Sequence, residues 1–202
     1  MNEILDVCCG SRMFWFDKKN PSVIFGDNRE LDTTLCDGRK LEIKPNILMD
    51  FRKIPYVNDF FKLVVFDPPH MKSLGKNSWM AKKYGVLGET WREDLKTGFS
   101  ECFRVLKDGG ILIFKWNESD IKVREILELV NYNALFGHKS GKLQKTHWIC
   151  FMKDSKFAKK DVDENNHTQG ERQGQSSPPR PIKYKGELKN SIKLKISSKI
   201  YK

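Results

Sequence analysis

Short apolar runs that end in an acid recur through the first third of the chain. Residues 3–9, EILDVCC, read as a buried strand stopped by Gly10-Ser11, and SVIFGD (22–27), NILMD (46–50) and KLVVFD (62–67) repeat the pattern. RMFWFDKK, after the first strand, is long enough for two helical turns. TTLCDGRKLEI (33–43) sets Asp37-Gly38 between two alternating runs, which predicts a hairpin. Residues 71–89, with scattered glycines, read as a loop. Trp91, Leu95, Phe99, Cys102, Phe103 and Leu106 recur at spacings of three and four and predict a helix over 91–106, ended by KDGG. ILIFKW (111–116) reads as a fifth strand and Asp120–Val130 as a helix capped by Ser119. ALFGH and HWICFMK then predict two last strands joined by KSGKLQKT. Strands separated by crossovers imply an α/β fold, a mostly parallel seven-stranded sheet whose final pair is a C-terminal antiparallel hairpin.

In an open parallel sheet, ligands bind beyond the carboxyl ends of the strands. Here those ends carry Asp6 with Gly10, then Asp27, Asp50 and Asp67, so four acids converge on one rim. The turn Cys8-Cys9-Gly10-Ser11 offers backbone N–H groups to a ligand. Asp27, at the end of the second strand, has two oxygens to match two ribose hydroxyls. Asp50 is placed to accept from an adenine amino group, with Phe51 flanking the ring. A dinucleotide cradle is not supported, because GSRMFW holds one glycine and Arg12 stands where G-x-G-x-x-G has its second. An adenosine cofactor without phosphate tolerates such a turn.

LVVFDPPHMK (63–72) supplies the chemistry. A strand cannot run through Pro68-Pro69, since neither has an N–H and both fix φ, so Asp67 is held at a strand end by a stiff turn. The series Asp6–Gly10, Asp27, Asp50 and Asp67-Pro68-Pro69-His70 resembles the class I S-adenosyl-L-methionine-dependent methyltransferases over roughly residues 3–153. Its last motif is similar to the (D/N)-P-P-(Y/F/W) signature of the group that methylates exocyclic amines of nucleic-acid bases, or glutamine in some relatives. The resemblance implies a Rossmann-like fold. It places Asp6 and the Cys8–Ser11 turn near the methionine part of the cofactor, Asp27 at the ribose, and Asp50 with Phe51 at the adenine. It sets Asp67, Pro68, Pro69 and His70 around the target amine. Asp67 and the Pro68 carbonyl are acceptors for the two amine hydrogens, which localises the nitrogen lone pair. The chain departs from the pattern at Arg12, at the hairpin that replaces a crossover helix, and at His70, where the group has a larger aromatic ring.

Charge extends the picture to a partner. Net charge is +11, and residues 155–202 hold 12 Lys/Arg against 5 Asp/Glu, while residues 1–154 hold 25 against 21. The first part reads as the transferase domain, and the polar, then basic remainder as a disordered tail. A basic balance favours a nucleic acid, DNA or RNA. Lys72, Trp79 and Tyr84 follow the D-P-P-H motif, and His138 and Lys139 approach the same rim, so these five are substrate-binding candidates. The five cysteines lack C-x-x-C spacing and His138 and His147 lack a third partner, which predicts no disulfide framework and no metal. No leader pattern and no apolar run of about 20 residues is present, so the expectation is a cytoplasmic protein without a membrane partner. Two alternatives stay open: a methyltransferase acting on a protein side chain or small molecule, and a non-catalytic nucleic-acid-binding module of the same fold.

Overall fold

The computed structural model describes residues 3–75 and 78–159. Seven strands form the main sheet: β1 (Ile4–Asp6), β2 (Val23–Asp27), β5 (Ile47–Leu48), β6 (Phe61–Phe66), β7 (Leu106–Asn117), β8 (Phe136–Ser140) and β9 (Thr146–Met152). Their order is β5-β2-β1-β6-β7-β9-β8, and β3 (Leu31–Thr34) pairs with β4 (Lys40–Ile43) in a separate hairpin. Contacts β2·β5, β1·β2, β1·β6 and β6·β7 are parallel, while β9 runs antiparallel to both β7 and β8. This is the expected Rossmann-like α/β sheet with its antiparallel final pair. Because β8 and β7 are both antiparallel to β9, the β8–β9 turn lies on the same rim as the ends of β1, β2, β6 and β7.

The sheet's two faces are covered differently. On one, α2 (Trp91–Val105) buries Trp91, Leu95, Phe99, Cys102 and Phe103, and Phe99 meets Phe66 and Phe114 at 5.2 and 4.8 Å between ring centroids. The short α3 (Val123–Leu127) adds Ile126 to the same core. On the other face, the residues between β1 and β2 supply Trp15, which packs edge-on against Phe25.

The expected helix over 12–19 is therefore not formed. The segment is a series of turns in which Arg12 takes a φ of 54°. Asp6 draws the Trp15 indole back to the sheet, and Arg12 reaches the carbonyls of Lys18 and Lys44; these long-range bonds outweigh a weak local helical preference. Three other expectations shift. The 71–89 loop contains α1 (Trp79–Tyr84), capped by the Ser78 side chain. KDGG lies inside β7, where Gly109 at φ 72° accommodates a register jump between β6 and β7. The N-cap of α3 is Lys122, not Ser119.

Regular structure also continues past Asp154. Ser155–Phe157 forms a 3-10 turn, Ala158 bridges to Tyr132, and the Lys159 N–H donates to the Asn131 carbonyl at 2.7 Å. The disordered tail is expected from 155; residues 155–159 are ordered, and the rest of that expectation, from 160 onward, lies outside the described residues. Among the described residues, no helix is long and apolar enough to cross a membrane.

Candidate functional site

A cavity of about 440 Å³ opens at the carboxyl ends of β1, β2 and β6. Its floor is the turn after β1. Cys9 N–H donates to the Gly26 carbonyl at 2.8 Å, and Gly10 N–H donates to Asp27 Oδ2 at 2.9 Å. Gly10 has φ 48° and Arg12 φ 54°; both lie in the left-handed region that glycine enters at least cost. Arg12 thus keeps the backbone shape of a glycine-rich turn. Its guanidinium is spent on two carbonyls and on the face of Phe25, 3.9 Å away.

The cavity wall brings together twelve of the seventeen residues singled out in the sequence: Cys8, Cys9, Gly10 and Ser11, then Asp27, Asp50 and Phe51, then Asp67, Pro68, Pro69 and His70, with Tyr84 from α1. Asp6 lies beneath the turn. It is fully buried, accepting from Trp15 Nε1 at 2.7 Å and Cys8 N–H at 3.3 Å. Burial lifts its pKa to about 7, with the indole bond opposing and the charge of Asp67 adding. Four residues stand off the lining. Lys72 is exposed, and its backbone N–H donates to Asp120. Trp79 is exposed, with the Arg39 guanidinium 5.8 Å from its ring centroid. His138 is exposed on β8, and Lys139 pairs with Glu118 at 3.7 Å.

The structure adds residues that sequence reasoning missed. Each acid lining the site is paired with a cation. Asp27 Oδ1 accepts from the Arg29 N–H at 3.0 Å and from Arg29 Nε at 3.1 Å. Asp50 is forked by Arg52, which also reaches Asp94 at 2.9 Å; the Arg52 hydrogen bonds hold the Asp50 carboxyl below its ordinary value. The sequence signal was an arginine two residues after each acid, D-N-R and D-F-R. An aspartate in that spacing bonds the backbone N–H two residues on and meets the guanidinium as well.

Asp67 is paired across the sheet. Lys115 Nζ donates to Oδ2 at 2.6 Å, and His70 Nε2 lies 3.2 Å from Oδ1. The histidine contact is close enough for an ion pair but is not aligned as a hydrogen bond, so Oδ1 is a buried acceptor without an aligned donor. Burial would raise the Asp67 pKa, but His70 and Lys115 outweigh it and hold the group below its ordinary value. The His70 ring packs edge-on against Trp116 at 5.1 Å. Lys115 was readable as the one charged position of ILIFKW.

Remaining side chains suit packing rather than chemistry. Burial pushes the Cys9 thiol up to about 12 and the Cys8 thiol well above its usual value, so neither is a ready nucleophile. Among the described residues no three metal-ligating side chains gather.

No family profile matches the sequence, and no curated protein matches it. Solved structures do. The PH0226 protein of Pyrococcus horikoshii OT3 aligns over 75% of this chain and 81% of its own, at 14% identity and a TM-score of 0.50. This chain shares that protein's fold. A TehB-like SAM-dependent methyltransferase of Corynebacterium glutamicum ATCC 13032 aligns over 75% of this chain and 79% of its own, at 14% identity and a TM-score of 0.47. An S-adenosylmethionine-dependent methyltransferase of Clostridium acetobutylicum ATCC 824 aligns over 74% and 82%, at 13% identity and a TM-score of 0.45.

Proposed function

We propose that this chain is an S-adenosyl-L-methionine-dependent methyltransferase whose acceptor is an exocyclic amine of a nucleic-acid base. One observation carries the reading. A single cavity joins the glycine turn and Asp27 to Asp67, whose Oδ1 is a buried acceptor without an aligned donor.

The residues fit the cofactor in size and donor set. A volume of about 440 Å³ falls in the range of small-ligand sites, roughly 300–1,000 Å³. Asp27 has about four acceptor directions, of which Gly10 and Arg29 take three. One ribose hydroxyl has a direction open to it, and a second requires Arg29 Nε to give way. Asp50 is engaged by Arg52 on both oxygens, so Phe51, rather than the Asp50 carboxylate, is the readier contact for an adenine. When bound, the cofactor's sulfonium supplies an electrophilic methyl group. The chain's own part is to bind and orient. Asp67 Oδ1 and the Pro68 carbonyl accept the amine hydrogens, and Pro68-Pro69 keep that carbonyl from drifting. His70 and Lys115 together keep Asp67 ionised, so that it accepts and does not donate.

Isothermal calorimetry with S-adenosylmethionine tests the cofactor half: saturable micromolar binding, lost in Asp27→Ala, is expected. Transfer of a tritiated methyl group to RNA, DNA, protein and small-metabolite fractions tests the acceptor. Label confined to nucleic acid and absent with Asp67→Ala is expected; label in protein or metabolites instead overturns the amine-on-a-base reading.

A further inference from the structure

The sheet face opposite α2 carries a row of side chains that the site uses only at one end. Register pairs Lys115 with Trp148 and Trp148 with His138, and Asp67 follows Phe66, the partner of Phe114. Cross-strand partners point to one face, so Asp67, Lys115, Trp148 and His138 run in line from the cavity to the edge of the sheet. Phe14 joins the row: it lines the cavity and packs edge-on against Trp148 at 5.4 Å. Lys115 Nζ lies 5.7 Å from the Phe14 ring and 5.8 Å from the Trp148 ring.

Beside this row the surface is apolar and basic. Phe16 is fully exposed, and Met13, Phe136 and Leu143 are more than half exposed. Residues 138–147 hold two histidines and three lysines and no acid. The acid that faces them, Glu118, is committed to His147 at 3.1 Å and Lys139 at 3.7 Å, which leaves Lys142 and Lys145 exposed and without an acid partner among the described residues.

We propose that this ledge, formed by residues 13–16 and the β8–β9 hairpin, binds a single-stranded nucleic-acid segment flanking the base in the cavity. The proposal rests on the transferase reading for what enters the cavity. Exposed aromatic and thioether side chains find stacking surface on unpaired bases and none on a stacked duplex. Lys142 and Lys145 neutralise phosphates. A membrane surface would engage the same cations and apolar tips. Continuity through Phe14 into the cavity favours an occupant that sends one of its units inside, as a strand does with a single base.

Fluorescence anisotropy with the full chain and labelled random-sequence 12-mers tests this, using single-stranded RNA, single-stranded DNA and a duplex at several salt concentrations. Anionic phospholipid vesicles are the comparison probe. Single strands, of RNA or of DNA, should bind more tightly than the duplex. The double variant Lys142→Ala/Lys145→Ala should lower the slope of log affinity against log salt by about 1.4, two phosphate contacts at about 0.7 each. Phe16→Ala should weaken binding about tenfold while the slope is kept. Basic residues beyond 159 remain in every variant, so differences report the ledge. Unchanged oligonucleotide binding in both variants overturns the proposal, as does a preference for duplex, or vesicle binding that the variants lose while oligonucleotide binding persists. Calorimetry with S-adenosylmethionine separates the two readings. Ledge effects without cofactor binding overturn the transferase and leave the ledge; cofactor binding without ledge effects does the reverse.

Discussion

Asp6 is a carboxyl group sealed under the turn that forms the cavity floor, and its pKa of about 7 makes it a titrating element of the fold. In the unfolded chain it ionises near 3.8. Between those values the native state holds a proton that the unfolded state has lost, so stability is full below pH 4 and falls as pH rises toward 7. Each unit is worth on the order of 1.4 kcal/mol, so the whole window amounts to a few kcal/mol. Asp6→Asn keeps an acceptor for Trp15 Nε1 and cannot ionise. Urea unfolding at pH 5 and pH 8 should show the variant gaining stability relative to the parent at the higher pH. Arg12 offers a second test at this scale. Arg12→Gly and Arg12→Ala both lose the bonds to Lys18 and Lys44, but alanine carries a Cβ at a positive φ that glycine adopts without cost. Alanine should therefore be the more damaging by about 1 kcal/mol, measured by the same unfolding titration.

At the scale of elements, α2 positions the cavity as well as the core. A Cβ on Gly98 would come within 2.6 Å of the Phe51 ring and 3.0 Å of Phe66. Glycine at this helix position lets the ring that flanks the cavity sit close against α2. Gly98→Ala gains up to about 1 kcal/mol of helix propensity but overpacks the contact, which typically costs about 1–3 kcal/mol. A small net loss of stability is expected, together with weaker adenosine-cofactor binding as Phe51 is pushed toward the cavity; a chemical denaturation curve and a calorimetric titration read the two effects. The α2 helix and the β3–β4 hairpin were legible in the sequence because their periodicity and turn chemistry are local. The stretch 12–19 was misread because what shapes it is distant: Asp6, Lys44 and Phe25 hold it against a helix. The short helix α1 was not legible because it buries nothing and so leaves no apolar period to read.

At the scale of the molecule, sheet order turns acids scattered from position 6 to position 67 into one rim, with β1 at the centre between β2 and β6. That convergence was readable from strands ending in aspartate. The pairing of Lys115 with Asp67 was not, since the two meet only through β6·β7 register, nor was the contact of Phe14 with Trp148, made across a loop and an antiparallel strand. A ligand seated in this rim touches the ends of β1, β2 and β6 together, and so should stabilise the domain as a unit. For one site, ligand at a hundred times its dissociation constant adds about 2.7 kcal/mol. For a domain of this size each kcal/mol moves the melting temperature by about 2–4 °C, so S-adenosylmethionine at saturation should raise it by roughly 5–10 °C. A nicotinamide dinucleotide should leave it unmoved, because the Gly10–Arg12 turn offers no second glycine for a pyrophosphate to approach. Asp27→Ala should abolish the shift, whereas Lys142→Ala, on the far hairpin, should preserve it. A melting temperature that stays fixed with the sulfonium cofactor and climbs with the dinucleotide would reverse the assignment of the rim.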